Sequence, residues 1–188
     1  MRRQRDAFSL SFISDRIEWQ SDVRSSSSHY HMLLQQLENR MQEAPSLAPT
    51  HLAASLDLLA EKIHRRSLVI IFSDLMESSQ ETDHLFNALQ HLRFNKHEVI
   101  LFHIQDKEKE GEFHFQNRPY LFVDPESGEQ MKVMPAEVRD AYLSAQSEYR
   151  KTLRDKAAQF KIDWIEVDAN DDFNQVLLQF LIKRSKMN

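Results

Sequence analysis

The sequence predicts an α/β fold in which helices cover a mainly parallel sheet. Segments with apolar residues at helical spacing alternate along the chain with short apolar runs, and the runs 68–72 and 99–102 are apolar at every position. A strand that is covered by helices on both faces has this continuous apolar pattern, whereas a strand with one solvated face alternates. Strand–helix alternation of this kind is typical of layered, Rossmann-like α/β folds.

Apolar spacing, prolines and turn residues set the limits of each predicted element. In chain order these elements are the strand 7–13, its hairpin partner 17–19, the helices 30–41 and 52–63, the strand 68–72, the helix 85–92, the strand 99–102, a charged loop at 107–112, the hairpin strands 120–123 and 131–133, a long helix from Pro135, the strand 162–167 and a closing helix capped by Asp171 or Asp172. We expect the closing helix to bury Phe173, Val176, Leu177, Phe180 and Leu181. No boundary divides the chain, so we expect a single domain over residues 1–188.

The composition excludes several classes of function. The 188 residues include only two glycines, Gly111 and Gly128, and no cysteine. Dinucleotide-binding turns, phosphate-binding loops and the nucleophile elbow of hydrolases each need more glycines than this at fixed spacing. Without cysteine there is no disulfide, thiol nucleophile, zinc–thiolate site or iron–sulfur cluster.

The charge pattern argues against a nucleic-acid partner and against a membrane span. The formal net charge is −5, whereas a dedicated nucleic-acid binder usually has a basic face. Basic residues at the two ends of the chain are interpreted as solvated termini. The longest uninterrupted apolar run, 68–72, is far shorter than the ~20 residues that a membrane helix needs. We therefore expect a cytoplasmic protein with no transmembrane segment in this chain.

Two strands end in the same pair of polar residues. The segments Phe12–Asp15 and Ile71–Asp74 each place a serine and an aspartate directly after an apolar run. Ligands of open α/β sheets bind at the carboxyl ends of the strands. The residues predicted to bind a partner there are Ser14, Asp15, Ser73 and Asp74, together with Thr50 from a neighbouring loop.

Asp74 is the first candidate for chemistry. A carboxylate at the end of a central strand could hold a hard cation such as Mg²⁺, with the hydroxyl of Thr50 as a second oxygen ligand. The alternative is that both residues cap the helices that follow them, and residue type alone favours that alternative. The nine histidines show no spacing typical of a metal site.

Four segments resemble a known family. They resemble the von Willebrand factor A-like domains of the bacterial domain-of-unknown-function family that is often encoded beside MoxR-type AAA+ ATPases. The matching segments are Arg5–Asp15, which resembles the second strand of that domain, Pro49–Leu56, its threonine loop, Arg65–Asp74, its fourth strand, and Phe122–Glu129, a late hairpin. The resemblance implies a three-layer von Willebrand A-like fold.

The resemblance also implies a metal-ion-dependent adhesion site. In such sites an Asp-x-Ser-x-Ser loop, a threonine and a later aspartate hold Mg²⁺; Thr50 and Asp74 match the last two. No Asp-x-Ser-x-Ser motif occurs in the sequence, because in the family it lies upstream of the position matched by Arg5. We therefore expect a degenerate or incomplete site that binds no metal tightly and takes Mg²⁺ only when the missing loop is supplied.

The resemblance implies as well that the first central strand of the sheet is missing from this chain. In the family it lies between the strands that end here at Ile13 and Phe72. Its absence would leave unpaired backbone groups, so either the two strands close up or another segment or chain fills the gap. We expect a truncated form of a longer protein, with edge pairing or oligomer formation.

Two functions of different classes follow from the sequence. The leading hypothesis is a non-catalytic protein–protein interaction module that acts with a MoxR-type AAA+ ATPase in a chaperone-like or assembly role. The alternative is a Mg²⁺-dependent hydrolase or phosphotransfer-type enzyme that uses Asp74 and Asp15. An enzyme would need converging carboxylates in a concave pocket, whereas an interaction surface would present Asp74 exposed at its centre.

Overall fold

The computed structural model describes residues 6–14, 16–43, 52–64, 66–75, 79–124 and 128–185. These residues form the strands β1 (Ser11–Ile13), β2 (Ile17–Gln20), β3 (Leu68–Ser73), β4 (Glu98–Gln105), β5 (Tyr120–Val123), β6 (Gln130–Val133) and β7 (Asp163–Asp168). The α-helices are α1 (Ser27–Gln42), α2 (Leu52–Lys62), α3 (Ser79–Phe94), α4 (Pro135–Gln159) and α5 (Phe173–Ser185). Within these residues no helix is long and apolar enough to span a membrane.

A parallel sheet confirms the predicted α/β class. Its described strands run in the order β3-β4-β7, with β3 and β7 both parallel to β4. The register pairs Ser73 with His103 and Gln105 with Asp168, so the three strands end at one edge. The strands β1 and β2 form one antiparallel hairpin and β5 and β6 form another, which confirms both predicted hairpins.

The core lies where α3 and α4 pack against the sheet and α2 packs against α3. The middle of β4 is buried throughout, and α3 has a fully buried stripe at helical spacing. The least exposed members of this core are Leu56 of α2, Leu75 after β3, Leu85, Phe86, Ala88, Leu89 and Leu92 of α3, Val99 and Leu101 of β4, and Leu153 and Ala157 of α4. These contacts hold the carboxyl ends of β3 and β4 in fixed positions.

The prediction that β3 is a central strand covered on both faces is wrong for the described residues. Among the described strands β3 pairs with β4 alone and therefore lies at an edge. Phe72 of β3 is 66% exposed, although its ring stacks on Phe102 with 4.8 Å between centroids. No described element covers the outer side of that ring, which is why it remains accessible despite the apolar sequence of the strand.

The predicted buried face of α5 is also wrong in part. Phe173 is 67% exposed, Leu181 is 51% exposed and Leu177 is 38% exposed. Phe180 contacts β4, with its ring edge-on to Phe102 at 5.7 Å. The apolar residues of α5 occupy more of the helix circumference than this contact can cover.

Candidate functional site

The candidate site lies at the carboxyl edge of the parallel sheet. Three parallel strands end there, and the chain continues from them as Asp74, Asp106 and Ala169. Such edges collect side chains and backbone groups from segments that are distant in sequence. The functional geometry is therefore set by the residues just beyond β3 and β4 and by the side chains of α4 that reach them.

The backbone after β3 is fixed by three hydrogen bonds. The Nε2 atom of His103 donates to the carbonyl oxygen of Asp74 at 3.1 Å. The hydroxyl of Tyr149 in α4 donates to the carbonyl oxygen of Leu75 at 2.7 Å, and the amide of Leu75 donates to Oγ of Ser73 at 3.1 Å. The side chain of Asp74 is exposed and thus projects from a backbone that is held in place.

The backbone conformation of Leu75 is unfavourable, and these hydrogen bonds help to stabilise it. Its φ angle is +52°, in the left-handed region that costs a branched residue about 1–2 kcal/mol. Its side chain is nevertheless buried in the core, with 1% of its surface exposed. Core packing and the hydrogen bond from Tyr149 hold the strained turn and so set the direction in which Asp74 points.

His103 is a buried neutral base beneath Asp74. It is 4% exposed, and its ring lies 5.1 Å from the indole of Trp164. Burial lowers the pKa of His103, and the nearby Arg150 charge lowers it further, while the bond to Asp74 and the charge of Glu166 oppose the shift. Because Nε2 carries the donated proton, the neutral ring has no proton on Nδ1, and that atom has no hydrogen-bond partner among the described residues.

The segment after β4 is a π-helical turn, Lys107–Gly111, and not the irregular charged loop that the sequence predicts. Asp106 caps it, since its side chain accepts a hydrogen bond from the Lys109 amide at 3.0 Å. That bond lowers the pKa of Asp106. A Cβ atom on Gly111 would lie only 3.2 Å from a guanidinium nitrogen of Arg150, so glycine permits the close approach of this turn to α4.

Glu110 on this turn adds a second acid near Asp74. Burial raises the pKa of Glu110; the negative charges of Asp106 and Asp74 raise it further, whereas the Asp106 backbone and Arg150 lower it. Glu110 and Asp74 are thus close enough for their charges to interact. We call Asp74, Asp106, Glu110 and Arg150, together with the buried His103, the carboxyl-edge cluster.

The carboxyl-edge cluster has three acids and one guanidinium, and the ammonium of Lys109 lies 3.2 Å from a carboxylate oxygen of Asp106, so the cluster keeps a small net negative charge. Among the described residues no group of three histidine, aspartate or glutamate side chains is placed to hold a metal ion. The cluster therefore offers hydrogen-bond acceptors and negative charge to whatever approaches it. A basic surface is the complementary ligand.

The residues predicted to bind a partner do not all lie at the carboxyl edge among the described residues. Ser73 and Asp74 lie at the carboxyl edge as expected, and the hydroxyl of Ser73 caps the following turn. Ser14 is 7% exposed, and its amide donates to the carbonyl oxygen of Arg16 in the β1–β2 turn. Asp15 and Thr50 lie outside the described residues, so the approach of Thr50 to Asp74 and the metal role of this pair stay predictions.

Sequence reasoning missed His103, Glu110 and Arg150. A histidine within the apolar strand β4 is a visible signal, because a buried imidazole needs a partner. Glu110 belongs to a run of alternating charges that is typical of a solvated loop. Arg150 is one of several charged residues along α4, and nothing in its spacing indicates contact with Gly111.

A family model described as "Protein of unknown function DUF58" matches residues 1–152 of the chain. No curated protein and no solved structure matches it.

Proposed function

The chain belongs to the DUF58 family of proteins of unknown function, and we propose that it is a non-catalytic protein–protein interaction module. Its partner is a MoxR-type AAA+ ATPase or a client of that ATPase, and its role is chaperone-like or in assembly. The von Willebrand A-like architecture implied by the sequence resemblance is part of the same proposal.

The observation that carries the proposal is the presentation of Asp74. Its side chain is exposed while its backbone is held by His103, and the next residue is held by Tyr149. A charged group on a fixed backbone loses little conformational entropy on binding, which favours recognition. Glu110 extends the same negative surface, whereas Asp106 is paired with Lys109. A basic group on the partner is therefore the expected counterpart of Asp74 and Glu110.

The open edge of β3 supports a second contact with the same partner. Among the described strands only β4 pairs with β3, and the exposed ring of Phe72 lies beside the open edge. An open apolar edge strand favours pairing with an added strand, which gains main-chain hydrogen bonds. Since Asp74 directly follows β3, a strand laid along this edge would end next to the carboxyl-edge cluster.

Asp74 is the one described residue that would bind the cation implied by the resemblance. The described residues include this one ligand of the implied set, and their geometry does not assemble a site around it. We therefore base the interaction on the acidic surface, and Mg²⁺ would add to it when further oxygen ligands are supplied.

We expect Asp74→Asn to weaken binding of the chain to a MoxR-type ATPase by about tenfold or more. Loss of a charged hydrogen-bonding partner typically costs ~1.5–3 kcal/mol. The dissociation constant is measured by isothermal titration calorimetry with the purified ATPase. The matched control is Asp155→Asn, an exposed aspartate on α4 for which binding should be unchanged.

Equal affinity of Asp74→Asn and the unaltered chain would overturn the assignment of this surface. Absence of binding by the unaltered chain would overturn the assignment of the ATPase as the partner. Melting curves of both variants establish that neither substitution acts through unfolding.

A further inference from the structure

A concave pocket is formed by the segment after the π-helical turn and the first turns of α4. Its volume is about 330 Å³, at the lower end of the range for small-ligand sites. Its apolar lining includes Phe113, Phe115 and Pro135, and its polar lining includes Glu112, Asn117 and Arg139. None of these residues belongs to the carboxyl-edge cluster.

The apolar wall of the pocket is built of aromatic rings that contact one another. Phe113 is 7% exposed, and its ring centroid lies 4.5 Å from that of Tyr142 and 4.9 Å from that of Phe115. Phe115 in turn contacts the rings of Tyr120 and Phe122 in the β5–β6 hairpin, at 5.3 and 5.4 Å. These ring contacts fix an aromatic surface against which an apolar side chain can pack.

The backbone at Phe113 has an unfavourable conformation that the ring contacts of this wall stabilise. Its φ angle is +48°, a conformation that bulky residues seldom adopt. The ring contacts with Tyr142 and Phe115 offset the cost of that conformation, which is of order 1–3 kcal/mol. The wall is therefore formed before any ligand arrives.

Arg139 provides the main positive charge of the pocket. One of its Nη atoms donates to the backbone carbonyl of Glu112 at 3.1 Å, which fixes the position of the guanidinium. A guanidinium carries five N–H donors in a planar fork, so this bond leaves donors for a carboxylate. The amide of Asn117 adds a neutral group that can bond to a peptide backbone. The side chain of Glu112 is the opposing negative charge in the lining.

We propose that this pocket binds the free carboxyl terminus of a partner polypeptide whose last side chain is aromatic or aliphatic. The terminal carboxylate pairs with Arg139, and the last side chain packs against Phe113 and Phe115. Charge complementarity at Arg139 and the size of the pocket, which suits one residue, favour this occupant. The inference deepens the proposed function by naming a feature of the polypeptide partner, but it uses a different surface from Asp74.

The test uses the complete chain and a fluorescein-labelled, glycine-rich pentapeptide that ends in phenylalanine. Fluorescence polarisation compares the free acid with the same peptide amidated at its carboxyl terminus. We expect the amide to bind at least tenfold more weakly. Arg139→Gln should weaken binding of the free acid by a similar factor, and Arg139→Lys should weaken it less, because charge is retained without the planar fork.

Two further variants test how the charges near the pocket change the affinity for the free acid. Glu112→Gln removes the opposing charge and should tighten binding of the free acid by about two- to fivefold. Lys151→Gln, at an exposed position on the same helix α4, should change nothing. Equal binding of acid and amide, absence of binding, or weaker binding by Glu112→Gln would each overturn the proposal. None of these results depends on binding of the ATPase at Asp74, so the two proposals fail independently.

Discussion

Replacing Phe86 with alanine is expected to lower the free energy of unfolding by about 3–5 kcal/mol. The Phe86 side chain is 1% exposed, and its ring lies 6.1 Å from that of Phe160, which follows α4. The ring therefore fills space between α3 and the end of α4, where truncation leaves a cavity that the surrounding core cannot close. Urea denaturation followed by circular dichroism measures the change.

The matched control is Phe94→Ala in the same helix. Phe94 is 83% exposed, and its replacement should change the free energy of unfolding by less than about 0.5 kcal/mol. A loss of under 1 kcal/mol for Phe86→Ala, or equal losses for both variants, would contradict the packing of α3 against α4 described above.

Lowering the pH from about 7.5 to about 5.5 is expected to destabilise the fold through two buried histidines. His97 is fully buried, and its Nδ1 atom accepts a hydrogen bond from the Ser67 amide at 3.2 Å, so that nitrogen carries no proton. Burial lowers the pKa of His97 below its ordinary value of 6.5, as it does for His103. At pH values between the folded-state and unfolded-state pKa values, the unfolded chain therefore binds more protons than the folded chain does.

Because of this difference in proton binding, the free energy of unfolding decreases as the pH falls. The stabilisation is complete above the unfolded-state pKa near 6.5 and is lost as the pH falls toward the lower folded-state values. Each unit by which a pKa is lowered corresponds to about 1.4 kcal/mol lost below both values. The measurement is the free energy of unfolding in urea at several pH values between these limits.

The variant His97→Gln tests whether this ring carries the effect. The quantity compared is the slope of the free energy of unfolding against pH, not the free energy itself. It should make the free energy of unfolding less dependent on pH, whereas His84→Gln, at an exposed position on α3, should leave the slope unchanged. A slope that is the same in His97→Gln as in the unaltered chain would show that this ring does not carry the effect.

The elements that local signals define were predictable from the sequence. Pro135 begins α4 at the first helical position, and Gly128 has the positive φ angle, +71°, that the predicted hairpin turn needs. The side chain of Asp172 accepts a hydrogen bond from the Asn174 amide, which is the predicted cap of the closing helix. In each case the residue type itself restricts the backbone or supplies the hydrogen bond.

Properties that depend on distant neighbours were not predictable. The continuous apolar sequence of β3 predicts burial on both faces, but burial of Phe72 depends on whether another element lies over it. The bond between His103 and the Asp74 carbonyl joins the adjacent strands β3 and β4, and the approach of Gly111 to Arg150 joins a turn to a helix. No spacing within a single segment encodes these contacts. For the same reason, the sequence indicated Asp74 but not the groups that fix it.

The most direct test of the proposed interaction surface is hydrogen–deuterium exchange of the chain with and without the bound MoxR-type ATPase. We expect slower exchange of backbone amides at 73–75 and 106–111, the two segments that surround Asp74 at the carboxyl edge. Protection confined to the opposite edge of the sheet, at 66–67 and 95–97, with unchanged exchange around Asp74, would contradict the assignment of the carboxyl edge as the interaction surface.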